Sequence, residues 1–279
     1  MKTTRPLKFF LAFMAWGLSW ACYAGPNQTN APIRAVSLDY CADQFTLALL
    51  PKSQIAAVSI DADKSYSYMR AAAKDLPQVR ASAENVLAFE PNLVVRSYGG
   101  GANAGAFYEG LGITVVQLNY TNTIAGAQKE ILRIAERLNA PATGAALVKD
   151  MSTRLAQLKG HPANQPETSS VMYMTPGGVT SGKHTMMDEL ISAAGLKNFE
   201  QRAGWHPLPL EALTLRQPEL VAVAFNDGDH QHYWSAARHS VLRQQLQQSK
   251  TIQLDDATTA CGGWFLMDAI ERLYEGAGT

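Results

Sequence analysis

Five aromatic residues stand where a small ligand would meet them. Each lies in a loop or at a predicted helix start, beside the end of a predicted strand: Tyr40, Tyr68, Tyr98, Trp205 and Trp264. In parallel α/β lobes the carboxyl ends of the strands face the ligand crevice. Aromatic rings at that edge favour binding of a bulky, partly apolar molecule rather than bond-making chemistry. For Tyr40 and Trp264, burial in an ordinary core is an equally open interpretation.

Two cysteines, Cys41 and Cys261, remain once a predicted leader peptide is removed. In an oxidising compartment an even pair either forms a disulfide or stays as two buried thiols, and the sequence leaves both open. If the chain forms two lobes with a cleft between them and both cysteines face that cleft, they either form a disulfide between the lobes or bind a soft metal ion.

The histidines and the glycines provide no enzyme signature. His184 and His206 lie near the proposed cleft, where imidazoles would ligate haem iron or a bare metal, whereas His230 and His232 are expected in solvent. No pair shows a strong metal-ligand spacing. Residues 99–101 (Gly-Gly-Gly) follow a strand without dinucleotide-binding spacing, and the sequence has neither a Gly-x-Ser-x-Gly elbow nor a Walker loop. The sequence therefore predicts a binding protein that is not an enzyme and has no metal or cofactor of its own.

One short pattern occurs twice and implies two similar lobes. Residues 84–95 and 211–222 each contain a Glu seven residues before a Pro, which is followed by x-Leu-Val. Each copy reads as a short helix, a Pro turn and a buried strand. The copies are separated by roughly the length of a small domain. Two lobes make a cleft, and such clefts bind small ligands.

The remaining chain alternates strands and helices, which favours parallel α/β sheets. Apolar residues at helical spacing from 123 to 158, interrupted at Pro141, predict two helices, the second one long and stiff. We therefore expect an α/β fold of two Rossmann-like lobes joined by a single long helix. The lobes are predicted at 25–140 and 166–279, with the linking helix and loop at 141–165.

Residues 1–24 have the features of a secretory signal peptide. Basic residues precede an apolar run that ends at Cys22-Tyr23-Ala24. A lipoprotein acylated at Cys22 is the alternative to a soluble periplasmic protein. Removing the leader leaves 21 basic and 24 acidic residues without a basic patch, so a nucleic-acid partner is not expected.

These features together resemble the class III periplasmic solute-binding proteins of ABC importers, the group that binds vitamin B12 and ferric siderophores. The resemblance is carried by the paired Glu-x6-Pro-x-Leu-Val elements, the long helix between the lobes and Thr180-Ser181-Gly182-Lys183. It implies a monomer that captures a ferric siderophore or a cobalamin-like corrinoid, with haem as an alternative. An exported partner-binding module and a Cys-dependent enzyme are the alternatives of other classes.

The resemblance also assigns roles to individual residues. Glu84 and Glu211 match the glutamates that engage arginines of the permease dimer, one on each lobe. Trp205 and Tyr68 match a cleft tryptophan and a cleft tyrosine, and Asp256 matches a ligand-contacting acid. The arginine expected shortly after that acid is replaced by Ala260, a departure from the cobalamin-binding pattern.

Overall fold

The structure is a computed structural model that describes residues 32–160, 169–175, 177–224 and 249–278. The predicted leader peptide, His230 and His232 lie outside the described residues. The helices are α1 Tyr40–Leu49, α2 Ala83–Leu87, α3 Ala104–Gly110, α4 Ile124–Arg137, α5 Pro141–Gly160, α6 Met186–Ala193, α7 Leu210–Leu215 and α8 Leu266–Gly278. The strands are β1 Ala35–Ser37, β2 Ile55–Ser59, β3 Gln78–Val79, β4 Leu93–Arg96, β5 Thr114–Gln117, β6 Ser170–Met174, β7 Val179–Ser181, β8 Lys197–Asn198, β9 Trp205–Pro207, β10 Leu220–Val223 and β11 Lys250–Gln253.

The strands form two parallel sheets, one in each lobe. The first has the order β3-β2-β1-β4-β5 and the second the order β11-β10-β6-β8. Their central strands are buried on both faces, as the continuous apolar runs require. This confirms the predicted two-lobed α/β fold. The second lobe differs from the prediction in one respect, because β7 and β9 form a separate antiparallel ribbon.

Polar side chains fix where several helices begin. At each of these starts a side-chain oxygen accepts a hydrogen bond from a backbone N–H in the first turn: Asp39 for α1, Ser82 for α2, Thr123 for α4 and Thr185 for α6. Helix α1 gives way to extended chain at Leu50, directly before Pro51, which cannot continue a helix.

Helix α5 lies within the range proposed for the link between the lobes. It packs along α4 and against α8. Arg154 of α5 donates to Asp268 of α8 at 2.6 Å and to both carboxylate oxygens of Glu271 at 2.5–2.6 Å. These ion pairs attach the linking helix to the second lobe.

A continuous apolar core extends through both lobes. Phe45 of α1 packs edge-on against Trp264, with ring centroids 5.8 Å apart, and Trp264 in turn contacts Phe265. The same cluster includes buried residues of the first sheet and of α8. Contact between the lobes is therefore a packed apolar interface, which favours small relative motions. No helix in the described part of the chain combines the length and apolarity needed to cross a membrane.

Candidate ligand-binding site

A cavity of about 330 Å³ lies between the lobes at the carboxyl ends of the strands. Its walls come from the segments that directly follow β1, β4 and β5 in the first lobe, and from Trp205 and the segment after β11 in the second. The lining residues are Tyr40, Cys41, Phe45, Ser97, Tyr98, Leu118, Asn119, Tyr120, Thr121, Glu130, Met186, Trp205, Thr259, Ala260, Cys261 and Gly262. This is the edge at which open parallel sheets bind ligands.

One buried carboxylate organises the wall of the first lobe. Asp39 is 2% exposed, and its Oδ1 accepts the N–H of Ala42 at 2.9 Å. Its Oδ2 accepts the N–H groups of Ser97, Tyr98 and Gly99 at 2.8, 3.1 and 2.9 Å. Asp39 therefore ties the start of α1 to the turn after β4, and so places Tyr40 beside Tyr98.

Gly99 lets that turn approach β1 closely. A Cβ atom added at Gly99 would lie 2.4 Å from the carbonyl oxygen of Leu38. Such a contact is too short for any side chain, so the turn requires glycine at this position.

Three tyrosines form an aromatic wall beside the cavity. The ring centroids of Tyr40 and Tyr66 are 5.0 Å apart, and those of Tyr40 and Tyr98 are 6.0 Å apart. Burial raises the pKa of Tyr98 above its ordinary value, and the neighbouring Tyr40 and the Asp39 carboxylate raise it further. Burial and the hydrogen bond to Asp61 raise the pKa of Tyr66 to about 12. These phenols therefore stay protonated at neutral pH and act as neutral hydrogen-bonding groups.

Glu130 is a lining residue whose charge is already neutralised. Its carboxylate accepts the N–H of Asn119 at 2.7 Å and hydrogen bonds from Arg133 at 2.6 and 2.8 Å. Burial acts to raise the pKa of Glu130, but the bonds from Arg133 and Asn119 outweigh it and leave the pKa below its ordinary value. Glu130 thus fixes the segment after β5 that also carries Tyr120.

The second lobe contributes an exposed indole. Trp205 of β9 is 49% exposed, and its ring lies 6.1 Å from that of the buried Tyr173. Tyr98 on the first lobe is 55% exposed. These two aromatic side chains, one from each lobe, line the cavity and leave much of their surface free for a ligand.

Cys41 and Cys261 form a disulfide, with Cα atoms 5.6 Å apart. Both residues line the cavity, and they belong to different lobes. The sequence did not decide whether the two cysteines are bonded, because nothing in a separation of 220 residues shows that they meet.

Three of the proposed ligand-binding residues do not line the cavity. The Tyr68 hydroxyl donates to Asp268 Oδ2 at 2.8 Å, and its ring packs on Phe265. Trp264 is 9% exposed and lies in the core between the lobes. Asp256 begins a short 3-10 turn, and its Oδ1 accepts the N–H of Ala257 at 3.0 Å. That turn leads into Thr259, which does line the cavity.

The described histidines also lie outside the cavity lining. His184 is exposed, and its carbonyl oxygen accepts from the Asn122 side chain at 3.0 Å. The His206 ring is hydrogen-bonded to the carbonyl oxygen of Ala203 at 2.7 Å. No group of three or more His, Cys, Asp or Glu side chains suited to a metal ion occurs within residues 32–160, 169–175, 177–224 and 249–278.

Glu84 and Glu211 occupy equivalent places in the two lobes. Each is exposed in the first turn of a short helix, α2 or α7, and each helix leads through a proline into a buried strand, β4 or β10. A surface groove of about 670 Å³ runs beside Glu211 and includes Arg202, Leu210 and Arg216.

Several lining residues were missed in the sequence. Ser97, Asn119, Tyr120, Thr121 and Thr259 are polar or aromatic residues that follow β4, β5 and β11 closely. Their position after a strand was a usable signal for all five, and for Tyr120 the aromatic residue type was a second one.

Comparison with known proteins agrees with this architecture. A family model described as periplasmic binding protein matches residues 36–258. The uncharacterized ABC transporter substrate-binding lipoprotein YvrC of Bacillus subtilis (strain 168) is 26% identical over 199 residues, covering 68% of this chain and 63% of that relative. The match therefore spans less than two thirds of that relative's length.

Two solved structures show the same fold. A possible iron-binding (periplasmic solute-binding) protein from Staphylococcus epidermidis ATCC 12228 has a TM-score of 0.69 at 17% identity, covering 87% of this chain and 97% of that one. The periplasmic heme-binding protein RhuT from Roseiflexus sp. RS-1, in apo form, has a TM-score of 0.67 at 23% identity, covering 88% and 100%. Because the family model extends over most of the sequence, the chain belongs to the periplasmic binding protein family, the group that its sequence resembles.

Proposed function

We propose that this protein is the periplasmic substrate-binding component of an ABC importer and that it captures a bulky metal chelate. A ferric siderophore or a cobalamin-like corrinoid is the proposed ligand class. The observation that carries the proposal is the cavity between the lobes, to which Tyr40 and Tyr98 contribute from one side and Trp205 from the other.

The character of the cavity suits such a ligand. Its lining combines aromatic rings with hydroxyl and amide groups, and its one lining carboxylate, among the residues the structure describes, is paired with Arg133. A volume of about 330 Å³ is near the lower end for small-molecule sites. A large chelate would therefore fill the cavity and extend past the exposed faces of Tyr98 and Trp205.

Haem is the second candidate, and two observations favour it. RhuT, a structural neighbour, is a heme-binding protein. Tyr98 also presents a phenol at the cavity, and a phenolate is a known type of haem ligand. Coordination would have to remove the proton from a phenol whose pKa is raised above its ordinary value, so we place haem behind the ferric siderophores and the corrinoids.

Binding without chemistry is part of the proposal. Cys41 and Cys261, the residues that an exported cysteine enzyme would use, are joined in a disulfide. A nucleophile needs a free thiolate and a base within hydrogen-bond reach. The lining of the cavity, as far as the chain is described, includes no histidine.

The permease is the proposed macromolecular partner, with the binding protein acting as a monomer. Glu84 and Glu211 are exposed carboxylates on matched helices of separate lobes. Charges in this arrangement steer encounter and fix orientation on a partner with two basic sites.

Export to the periplasm as a soluble protein is part of the same proposal, and a lipoprotein acylated at Cys22 is the alternative. The B. subtilis relative is a lipoprotein. The intact mass of the mature protein distinguishes cleavage before Gly25 from lipidation at Cys22.

A fluorescence titration tests the ligand assignment. The mature protein is titrated with cyanocobalamin, several ferric siderophores and haemin, with a matched absorbance control for inner-filter effects. Saturable quenching by one compound supports the proposal if two conditions are met. The quenching must be lost in Trp205→Ala, and Trp205→Phe must still bind the compound when binding is followed by absorbance. Equal binding by Trp205→Ala contradicts the placement of the ligand in this cavity.

Charge reversal tests the docking assignment separately. The Glu84→Arg/Glu211→Arg variant is expected to bind ligand normally and to lose transport. Glu136→Arg, on the exposed face of α4, is the matched control. Transport that survives reversal at both sites contradicts docking through these two glutamates.

A further inference from the structure

The disulfide crosses the ligand cavity from one lobe to the other. Cys41 is the second residue of α1 in the first lobe, and Cys261 lies between β11 and α8 in the second. Both are partly exposed, and both line the cavity. A covalent bond therefore fixes the separation of the two walls at the place where the ligand is proposed to bind.

The other contacts between the lobes are reversible. They include the hydrogen bond from Tyr68 to Asp268 at 2.8 Å and the bond from Asn122 to the carbonyl oxygen of His184 at 3.0 Å. The packing of Phe45 on Trp264 lies one helical turn from Cys41 on α1. Without the covalent bond, parting of the lobes at the cavity would be opposed by these weak contacts and by the apolar core behind them.

The position of the two sulfur atoms suits exchange with an external thiol. Cys41 and Cys261 pack against the edge of the apolar core, but both are partly exposed and both line the cavity. Cys41 lies in the first turn of α1, where the helix dipole stabilises a thiolate and makes Cys41 the better leaving group. An attacking thiolate then bonds to Cys261 Sγ as the Cys261–Cys41 bond breaks and Cys41 leaves with the electron pair.

We propose that the Cys41–Cys261 disulfide is a thiol-exchange site that clamps the cavity, and that reduction by a dithiol lets the lobes part there. The second thiol of the reductant attacks the mixed disulfide and releases Cys261 as a thiolate. The products are the dithiol form of this protein and an oxidised reductant, so two electrons pass between them. The proposal rests on the proposed function only for the identity of the bound ligand.

The first measurement is the rate of reduction of the native mature protein. Dithiothreitol is added without denaturant, thiols are trapped with iodoacetamide, and intact mass gives the fraction reduced. Because both cysteines line the cavity and are partly exposed, we expect a rate within about tenfold of that in denaturant. A native rate lower by about a thousandfold or more overturns the proposal, because reduction would then require unfolding.

The second measurement is amide hydrogen exchange of the oxidised and the reduced protein. Residues 97–101 and 259–263, which include lining residues of opposite walls, are expected to exchange at least about threefold faster after reduction, with α4 unchanged. Cys41→Ser/Cys261→Ser should match the reduced protein. If that variant does not fold, reduced wild-type protein still decides the question, and equal exchange in both redox states overturns the clamp. Neither measurement uses a ligand. Both therefore still test the disulfide proposal if no chelate binds in the fluorescence titration.

Discussion

Replacing Asp39 by alanine removes the group that holds the first wall of the cavity together. The side chain caps α1 through Ala42 and accepts three further N–H groups from residues 97–99. Loss of a cap costs about 1 kcal/mol. Each additional hydrogen bond contributes about 1 kcal/mol, so the free energy of unfolding should fall by about 4 kcal/mol in Asp39→Ala.

Two variants sharpen this test, with urea unfolding followed by circular dichroism as the assay. Asp39→Asn, with its amide oxygen in the place of Oδ2, keeps the three bonds to residues 97–99 and loses the cap, so it should lose only about 1 kcal/mol. Ser82→Ala removes a cap from α2 that makes a single bond of 3.4 Å, and it should lose about 1 kcal/mol or less. The reasoning is refuted if Asp39→Ala costs no more than Ser82→Ala.

Three further predictions concern stability. Burial raises the pKa of Asp43 to about 6 from its ordinary 3.8, so the folded state binds its proton more tightly. The free energy of unfolding should therefore fall by up to about 3 kcal/mol as pH rises from about 4 to 6, relative to Asp43→Asn; parallel pH curves for the two proteins would contradict this. Closing a loop of 220 residues predicts that Cys41→Ser/Cys261→Ser loses up to about 5 kcal/mol in urea unfolding, and an unchanged midpoint would refute it. Tyr68→Phe should lose about 1 kcal/mol in the same assay through its bond to Asp268, and no loss would show that this bond is not stabilising.

The elements set by local pattern were the ones predictable from the sequence. The strand Leu93–Arg96 is the buried strand predicted at the end of the first repeat, and the break at Pro141 separates α4 from α5 as expected. Both follow from local signals, an apolar β-branched run and a residue that cannot continue a helix. The short pairings β3, β8 and β7–β9 were not predicted, because their stability comes from neighbours distant in sequence.

The candidate site also has a part that could be predicted from the sequence and a part that could not. Tyr40 and Tyr98 lie at the cavity because sheet topology places the ends of β1 and β4 there, whereas Trp205 reaches it from the antiparallel β7–β9 ribbon. Tyr68 and Trp264 have the same residue types and similar neighbours in the sequence, yet they pack in the interface between the lobes. Which aromatic side chain faces the cavity depends on how residues 264–268 pack against Phe45 and Tyr68, and no local pattern encodes that packing.

Gly182 illustrates a signature whose physical reason appears only in the fold. A Cβ atom at this position would lie 1.8 Å from the carbonyl oxygen of Arg202. The backbone N–H groups of Gly182 and Lys183 donate to Gly204 and Arg202 at 2.8 and 3.0 Å. This glycine therefore permits the close approach of the chain that carries Trp205.

Native mass spectrometry tests the central claim, that one chelate binds between the lobes, most directly. Mature protein is mixed with cyanocobalamin, ferric siderophores and haemin, and the mass of any retained compound identifies it. We predict one chelate per chain for wild-type protein and for Phe107→Ala, an exposed aromatic on α3, and none for Tyr98→Ala/Trp205→Ala. Retention of the same chelate by that double variant would contradict the account.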